Sequence, residues 1–174
     1  MIVFSLKIGS RAILVVRPLL ETDWNSVSKI YKQGIATGIA TFETECPNWK
    51  KWDAKYISNC RLVAVYNQHI VGFSVLSKVS KRQVYNGVAE VSVYVLNKFK
   101  GKHIGETLLK YLIYESEING FWTLQANIFS ENMASINLHN KCGFRLVGVR
   151  EKIGRLNGKW YDNQLFERRS KIVK

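Results

Sequence analysis

Proline, cysteine and acidic side chains are all scarce in this sequence, and each shortage excludes something. Only Pro18 and Pro47 occur in 174 residues, and no Ser/Gly/Pro-rich tract offers a linker, so residues 1–174 read as one domain without internal repeats. The three cysteines, Cys46, Cys60 and Cys142, are odd in number and far apart. They have neither the CxxC spacing of a zinc site nor the density of a disulfide scaffold, so no metal is expected and a reducing compartment is. Long apolar runs are missing too: no window approaches the roughly 18 consecutive apolar residues that span a bilayer. The opening Met1–Ile8 is short, carries Lys7 and has no small-residue cleavage site before Arg11. A soluble cytoplasmic protein without membrane contact is the expectation.

What is present is a core-forming composition, 47% hydrophobic and 12% aromatic, with a net charge of +13. The first argues for a folded globule. The second favours polyanions, either nucleic acid or a phosphate-rich cofactor, although a solvated basic surface accounts for it equally well. No RRM, KH or zinc-finger signature appears, so a nucleic-acid partner is not expected.

Patterning gives the order β-α-α-β-β-β-α-β-α-β-β. Ile13–Arg17 is a β-branched strand, and Thr22 is placed to cap a helix with Trp24, Val27, Ile30 and Tyr31 on one stripe, loosened at its end by Gly34 and Gly38. A short helix from Asn48 carries Trp49, Trp52 and Tyr56 on one side. Arg61–Tyr66 and Ile70–Ser77 form a hairpin, and Gly87–Leu96 is a valine-rich strand. Gly105–Asn119 is an amphipathic helix, Trp122–Phe129 a strand, and Asn132–Cys142 a helix stopped by Gly143. A final hairpin, Phe144–Ile153 with Trp160–Arg168, turns at Asn157-Gly158. The fold class is α/β (α+β), a mixed and mostly antiparallel sheet with helices on both faces.

Two segments carry chemistry. Lys98–Gly105 joins the valine-rich strand to the amphipathic helix, with Gly101 and Gly105 among three lysines. A helix start leaves N–H groups unpaired and bears the positive end of the dipole, which suits a pyrophosphate; a basic turn is the plainer alternative. In Val88–Tyr94, alternation puts Val88, Glu90, Ser92 and Tyr94 on one face. A carboxylate in such a strand is costly to bury unless it faces a wet cleft, where desolvation lifts its pKa toward that of a general base.

The residues then match a known pattern. Lys100 to Gly105 resembles the acyl-CoA loop of the GNAT acetyltransferases, [Arg/Gln]-x-x-Gly-x-[Gly/Ala], with Lys100 at the Arg/Gln position and His103 at the first glycine. Asn132 to Phe144 resembles that family's Asn-x-x-Ala-x-x-Leu-[Tyr/His]-x-x-x-Gly-Phe. Resemblance to the phosphinothricin acetyltransferase subgroup extends to Ala40–Glu45, Arg82 with Tyr85, Glu90–Val95, Leu138-His139 and Gly158-Lys159-Trp160 with Asp162. Residues 1–13 have no counterpart and form an N-terminal extension of unassigned role.

The resemblance implies acetyl-CoA as co-substrate and a small amino-acid-like acceptor, of the phosphinothricin, arsinothricin or methionine sulfoximine/sulfone type. Lys100, Gly101, Lys102, His103, Ile104 and Gly105 would hold the pyrophosphate and Asn132 the pantetheine arm. Glu90 would take the ammonium proton, and His139 stands where many members carry a tyrosine that protonates the departing thiolate. Backbone amides at Val93, Tyr94 and Val95 would polarise the thioester carbonyl. Phe42, Arg82 and Tyr85 would meet the acceptor, Arg82 through the pairing of guanidinium with an anionic head. A homodimer is expected from surface aromatics at Trp49, Trp52, Trp160 and Tyr161. The alternatives are the same fold acting on a protein or peptide amine, and a basic nucleic-acid-binding module.

Overall fold

Two pairs of residues that tolerate left-handed backbone set the sheet's register. Asn67-Gln68 (φ 47° and 64°) and Asn157-Gly158 (φ 48° and 82°) are two-residue turns whose twist matches that of the strands they join. In the computed structural model, which describes the backbone of residues 4–8 and 12–174 and side chains from residue 13 onward, they close the hairpins β3–β4 and β7–β8.

The strands are β1 (Phe4–Ile8), β2 (Ala12–Pro18), β3 (Tyr56–Tyr66), β4 (His69–Lys78), β5 (Val88–Val95), β6 (Thr123–Phe129), β7 (Arg145–Leu156) and β8 (Lys159–Arg169). The helices are α1 (Trp24–Ala36), α2 (Trp49–Lys55), α3 (Ile104–Ile118) and α4 (Met133–Lys141). Spatial order is β1-β2-β3-β4-β5-β6-β8-β7, and every neighbouring pair is antiparallel except β5 with β6. The extension read as 1–13 contributes β1, paired with β2; residues 1–3 and 9–11 lie outside the described part.

The sheet separates two cores. On one side, Ile104, Leu108, Leu109 and Leu112 of α3 pack against Leu62, Ala64, Ala89 and Val91. On the other, Val27, Ile30 and Tyr31 of α1 join Trp52, Val63, Phe73 and Val75. Phe73 and Trp52 are at most 1% exposed, and each such side chain contributes about 1.5–3 kcal/mol by leaving water.

Several expectations are corrected. Thr22 does not cap α1: it sits in a 3-10 turn, Glu21–Asp23, and the capping position is Asp23. The Asp23 carboxylate is already engaged, accepting from Leu20 N–H (2.8 Å) and from both Arg17 guanidinium nitrogens (2.7 and 2.8 Å). Gly34 lies in the last turn of α1, which ends at Ala36, and a Cβ there would stand 2.6 Å from the Tyr94 ring. Tyr56 opens β3 rather than closing α2. Trp52 is buried, not a surface aromatic, since the Arg61 guanidinium and the rings of Trp24, Trp49 and Tyr56 cover it. Trp49 and Tyr161 are half-buried, whereas Trp160 is 53% exposed. Among the described residues no helix is long and apolar enough to cross a membrane.

Candidate active site

β5 and β6 run parallel for only three residue pairs, ending at Glu90↔Gln125, although β5 continues to Val95 and β6 to Phe129. Past Glu90 the sheet opens, and one edge of β5 has no strand beside it. A cavity of about 870 Å³ fills the gap, reaching from the α3 N-terminus to the α1 face of the sheet. Val93, Tyr94 and Val95 line it along that free edge.

One end is built from backbone. The first α3 bond recorded from the preceding loop is Thr107 N–H to His103 O (2.9 Å), so the N–H groups of Ile104, Gly105 and Glu106 have no intrahelical acceptor. Gly101 (φ 76°) and His103 (φ 58°) bend the loop beneath them. His103 thus takes up the backbone shape a glycine would favour, and its exposed ring turns toward Glu106, with Nδ1 3.1 Å from Oε2. Lys110 and His103 hold the Glu106 carboxyl down to about 2. Lys100, Gly101, His103, Ile104 and Gly105 line the cavity. Lys102 does not, its ammonium resting 5.0 Å from the Phe99 ring centre.

The α4 N-terminus completes this end. Asn132 caps α4 by accepting from Ser135 N–H (3.2 Å) and ties it to the α1–α2 loop by donating to Ile39 O (3.2 Å). His139 is 4% exposed, edge-on to Phe144. Its Nδ1 lies 2.8 Å from the Ser135 carbonyl, an acceptor, so Nδ1 carries the proton and Nε2 is a lone pair. That lone pair is buried with no partner among the described residues, as is Asn163 Oδ1, and both residues line the cavity. Burial pushes the imidazole pKa down and keeps it neutral.

The other end is built from side chains. Glu90 faces the cavity, and burial raises its carboxyl above the ordinary range against the opposing pull of an Asn127 hydrogen bond and the positive Lys55 and Arg150. Above it run hydroxyls: Ser92 with Tyr56, Tyr56 with Tyr31, and Tyr31 with Thr41. Burial pushes the Tyr56 phenol up to about 12 and raises Tyr31 as well, so both stay protonated donors. The Tyr94 hydroxyl donates to Ala40 O (3.4 Å), while its ring stacks on Phe73. Lys55 pairs with Glu43 at 2.9 Å on the rim. Phe42 packs 4.4 Å from the Phe129 ring centre in a slot that Gly154 keeps open, a Cβ there reaching 2.4 Å from Phe42 Cζ.

The structure therefore brings together Phe42, Glu90, Val93–Val95, Lys100, Gly101, His103–Gly105, Asn132 and His139. It leaves Arg82 and Tyr85 on an exposed loop outside the lining, the guanidinium 5.7 Å from the Tyr85 ring centre. The sequence reading missed Tyr31, Tyr56, Lys55, Asn127 and Asn163. Tyr31 and Tyr56 were legible only as apolar stripe residues, since a tyrosine's ring packs like a hydrophobe wherever its hydroxyl ends. Among the described residues no group of three His, Cys, Asp or Glu side chains could hold a metal.

The model of the acetyltransferase (GNAT) domain matches residues 16–165. A phosphinothricin N-acetyltransferase of Alcaligenes faecalis is 31% identical over 169 residues, spanning 91% of this chain and 84% of that protein. An L-amino acid N-acyltransferase of Escherichia coli, MnaT, is 32% identical over 152 residues, 84% of this chain and 88% of that one. The solved phosphinothricin acetyltransferase of Sinorhizobium meliloti in complex with acetyl-CoA superposes with a TM-score of 0.82 at 26% identity, covering 90% of this chain and 88% of that one.

Proposed function

The chain belongs to the GNAT acetyltransferase family and is an acetyl-CoA-dependent N-acetyltransferase; from that premise we propose that its acceptor is a small amino-acid-like amine deprotonated by Glu90. The observation that carries the reading is Glu90 itself, a buried carboxylate of raised pKa at the point where β5 and β6 part. An ammonium has no lone pair, so a base must act before nitrogen can attack, and a carboxyl tuned upward works nearer neutral pH than an ordinary one.

The residues present fit the cofactor. The open N–H groups at the start of α3, the two left-handed residues beneath them and Lys100 suit a pyrophosphate. Gly105 keeps the wall thin, a Cβ there lying 3.4 Å from Leu138. When bound, acetyl-CoA supplies the activated acetyl thioester. The chain's own part is then to orient it along the free edge of β5, where backbone N–H groups are available to a carbonyl. His139, with Nδ1 committed to Ser135, offers Nε2 as an acceptor, so in this reading it receives a hydrogen bond rather than acting as the acid of the step.

Names of relatives support small acceptors: phosphinothricin for the A. faecalis protein and L-amino acids for MnaT. The acceptor end, walled by Tyr31, Tyr56, Phe42 and Phe129, suits the same class. The test is thiol release from acetyl-CoA over free amino acids, their phosphinate, arsinate, sulfoximine and sulfone analogues, and short peptides. The expected best acceptors are the free analogues with a second polar or anionic head. A peptide amine outperforming all of them would overturn the small-acceptor reading.

A further inference from the structure

The acceptor end of the cavity carries a second fixed charge that the Glu90 chemistry does not use. Lys55, the last residue of α2, reaches the cavity wall with its ammonium 2.9 Å from Glu43 Oε1. Its positive field acts on Glu90, and the negative fields of Glu43 and Glu90 act on it in return. The other basic residues in the lining are Lys100 and His103 beside the α3 N-terminus, His139 with its lowered pKa, and Lys141 at the α4 C-terminus, and both His103 and Lys141 act on Glu106. Among the described residues, Lys55 is thus the cation lining the Glu90 end.

We propose that Lys55 binds the acceptor's α-carboxylate, making this an enzyme for free α-amino acids rather than for amines or amidated residues; the proposal rests on the small-acceptor reading above. In an α-amino acid a single carbon separates the amine from the carboxylate. A zwitterion whose nitrogen is at Glu90 must place its carboxylate close by, and Lys55 is the cation on that wall to meet it, provided the carboxylate takes over the ammonium from Glu43, which lines the same wall. Lys55 is free to respond. Its pair with Glu43 is half-exposed on both sides, the kind of contact that holds a geometry only weakly, and an ammonium has three protons to share.

The ground beyond Lys55 is basic as well. A second cavity of about 570 Å³ shares Lys55 and Tyr56 with the first and is otherwise lined by Lys78, Ser80, Lys81 and their neighbours. An acceptor turned with its carboxylate toward Lys55 enters a positive field. Arg150 also acts on Glu90, but its guanidinium donates to Asn127 Oδ1 (3.1 Å) and lies outside the lining.

The experiment compares kcat/KM of the full chain for L-methionine sulfone and for its carboxamide, in wild type and in Lys55→Met, Lys55→Arg and Arg150→Met. Wild type should prefer the acid. Lys55→Met should reduce the acid-over-amide ratio on the order of 10–100-fold, mainly through KM, as expected for a lost charge-assisted contact, and Lys55→Arg should restore much of it. Equal use of acid and amide by wild type, or loss of the preference in Arg150→Met with Lys55→Met unaffected, overturns the role of Lys55 and leaves the small-acceptor reading standing. Acetylation of peptides with no turnover of any amino acid overturns both.

Discussion

The two ends of the cavity are made of different material. The end proposed for the cofactor is backbone: N–H groups of Ile104, Gly105 and Glu106, with Gly101 and His103 bent left-handed beneath them, all within one strand-to-helix junction. The acceptor end is side chain: Tyr31 from α1, Glu43 from a loop, Lys55 from α2, Tyr56 from β3, Glu90 and Ser92 from β5, and Asn127 from β6. A backbone cradle accepts any phosphate-bearing arm and tolerates substitution of its side chains. A pocket of side chains drawn from six segments changes whenever one of them changes. One end can stay constant while the other varies its substrate.

That contrast fixes where mutations should hurt, and the largest effect belongs at the acceptor end. Glu90→Gln should lower kcat on the order of 10²–10⁴-fold while acetyl-CoA still raises the melting temperature. Partial recovery at high pH, where free amine is available, completes the pattern. In wild type the acid limb of kcat/KM should lie above the ordinary carboxylate range, because burial raises the Glu90 pKa. The sign for stability follows from the same shift. A folded pKa raised above the unfolded one gives a contribution present at low pH and lost as pH rises through the folded value. Above the folded pKa the ionised Glu90 therefore costs stability, and there Glu90→Gln should melt no lower than wild type. A variant both inactive and markedly less stable would mean that the carboxylate is structural.

Gly34→Val comes next. Its side chain would enter the space held by the Tyr94 ring, since even a Cβ at Gly34 stands 2.6 Å from that ring. Overpacking of this kind costs about 1–3 kcal/mol, readable by chemical denaturation, and displacing Tyr94 should impair acceptor turnover more than cofactor binding. Equal damage to both would mean that the two ends are not separable.

At the cofactor end the effects should be smaller. Lys100→Ala should weaken acetyl-CoA binding by roughly 1 kcal/mol, measured calorimetrically and shrinking as salt is raised, because exposed charges are screened. A tenfold or greater loss independent of salt would show that a side chain, not the backbone, holds the phosphates.

The smallest change is His103→Gly. It relieves a left-handed backbone but frees the unfolded chain and removes the contact with Glu106, so stability should move by no more than about 1 kcal/mol. Cofactor affinity should hold or improve. A marked fall would assign the imidazole itself to phosphate binding.

The order of elements from β2 onward, the two hairpins, the glycine-containing junction before α3 and the inward face of β5 were legible in the sequence, because each depends on neighbours within one segment; β1 was not. Period-two alternation put Glu90, Ser92 and Tyr94 on one face, and asparagine and glycine at the turns set the register. The capping of α4 by Asn132 was equally local.

Contacts between segments were not legible. Whether Trp52 is surface or core depends on Arg61, Trp24 and Tyr56 closing over it. Whether Asp23 caps a helix depends on Arg17 claiming it first. That Arg82 and Tyr85 stand outside the cavity, while Lys55 stands inside it, follows from where the β4–β5 loop and α2 end relative to the sheet. The sequence by itself determined the strands from β2 onward, the helices and the basic strand-to-helix junction, because hydrogen bonding and side-chain periodicity act over a few residues. Only the tertiary structure decided the acceptor end, because its charges and hydroxyls meet across a sheet that opens at Glu90, where no local pattern reaches from one wall to the other.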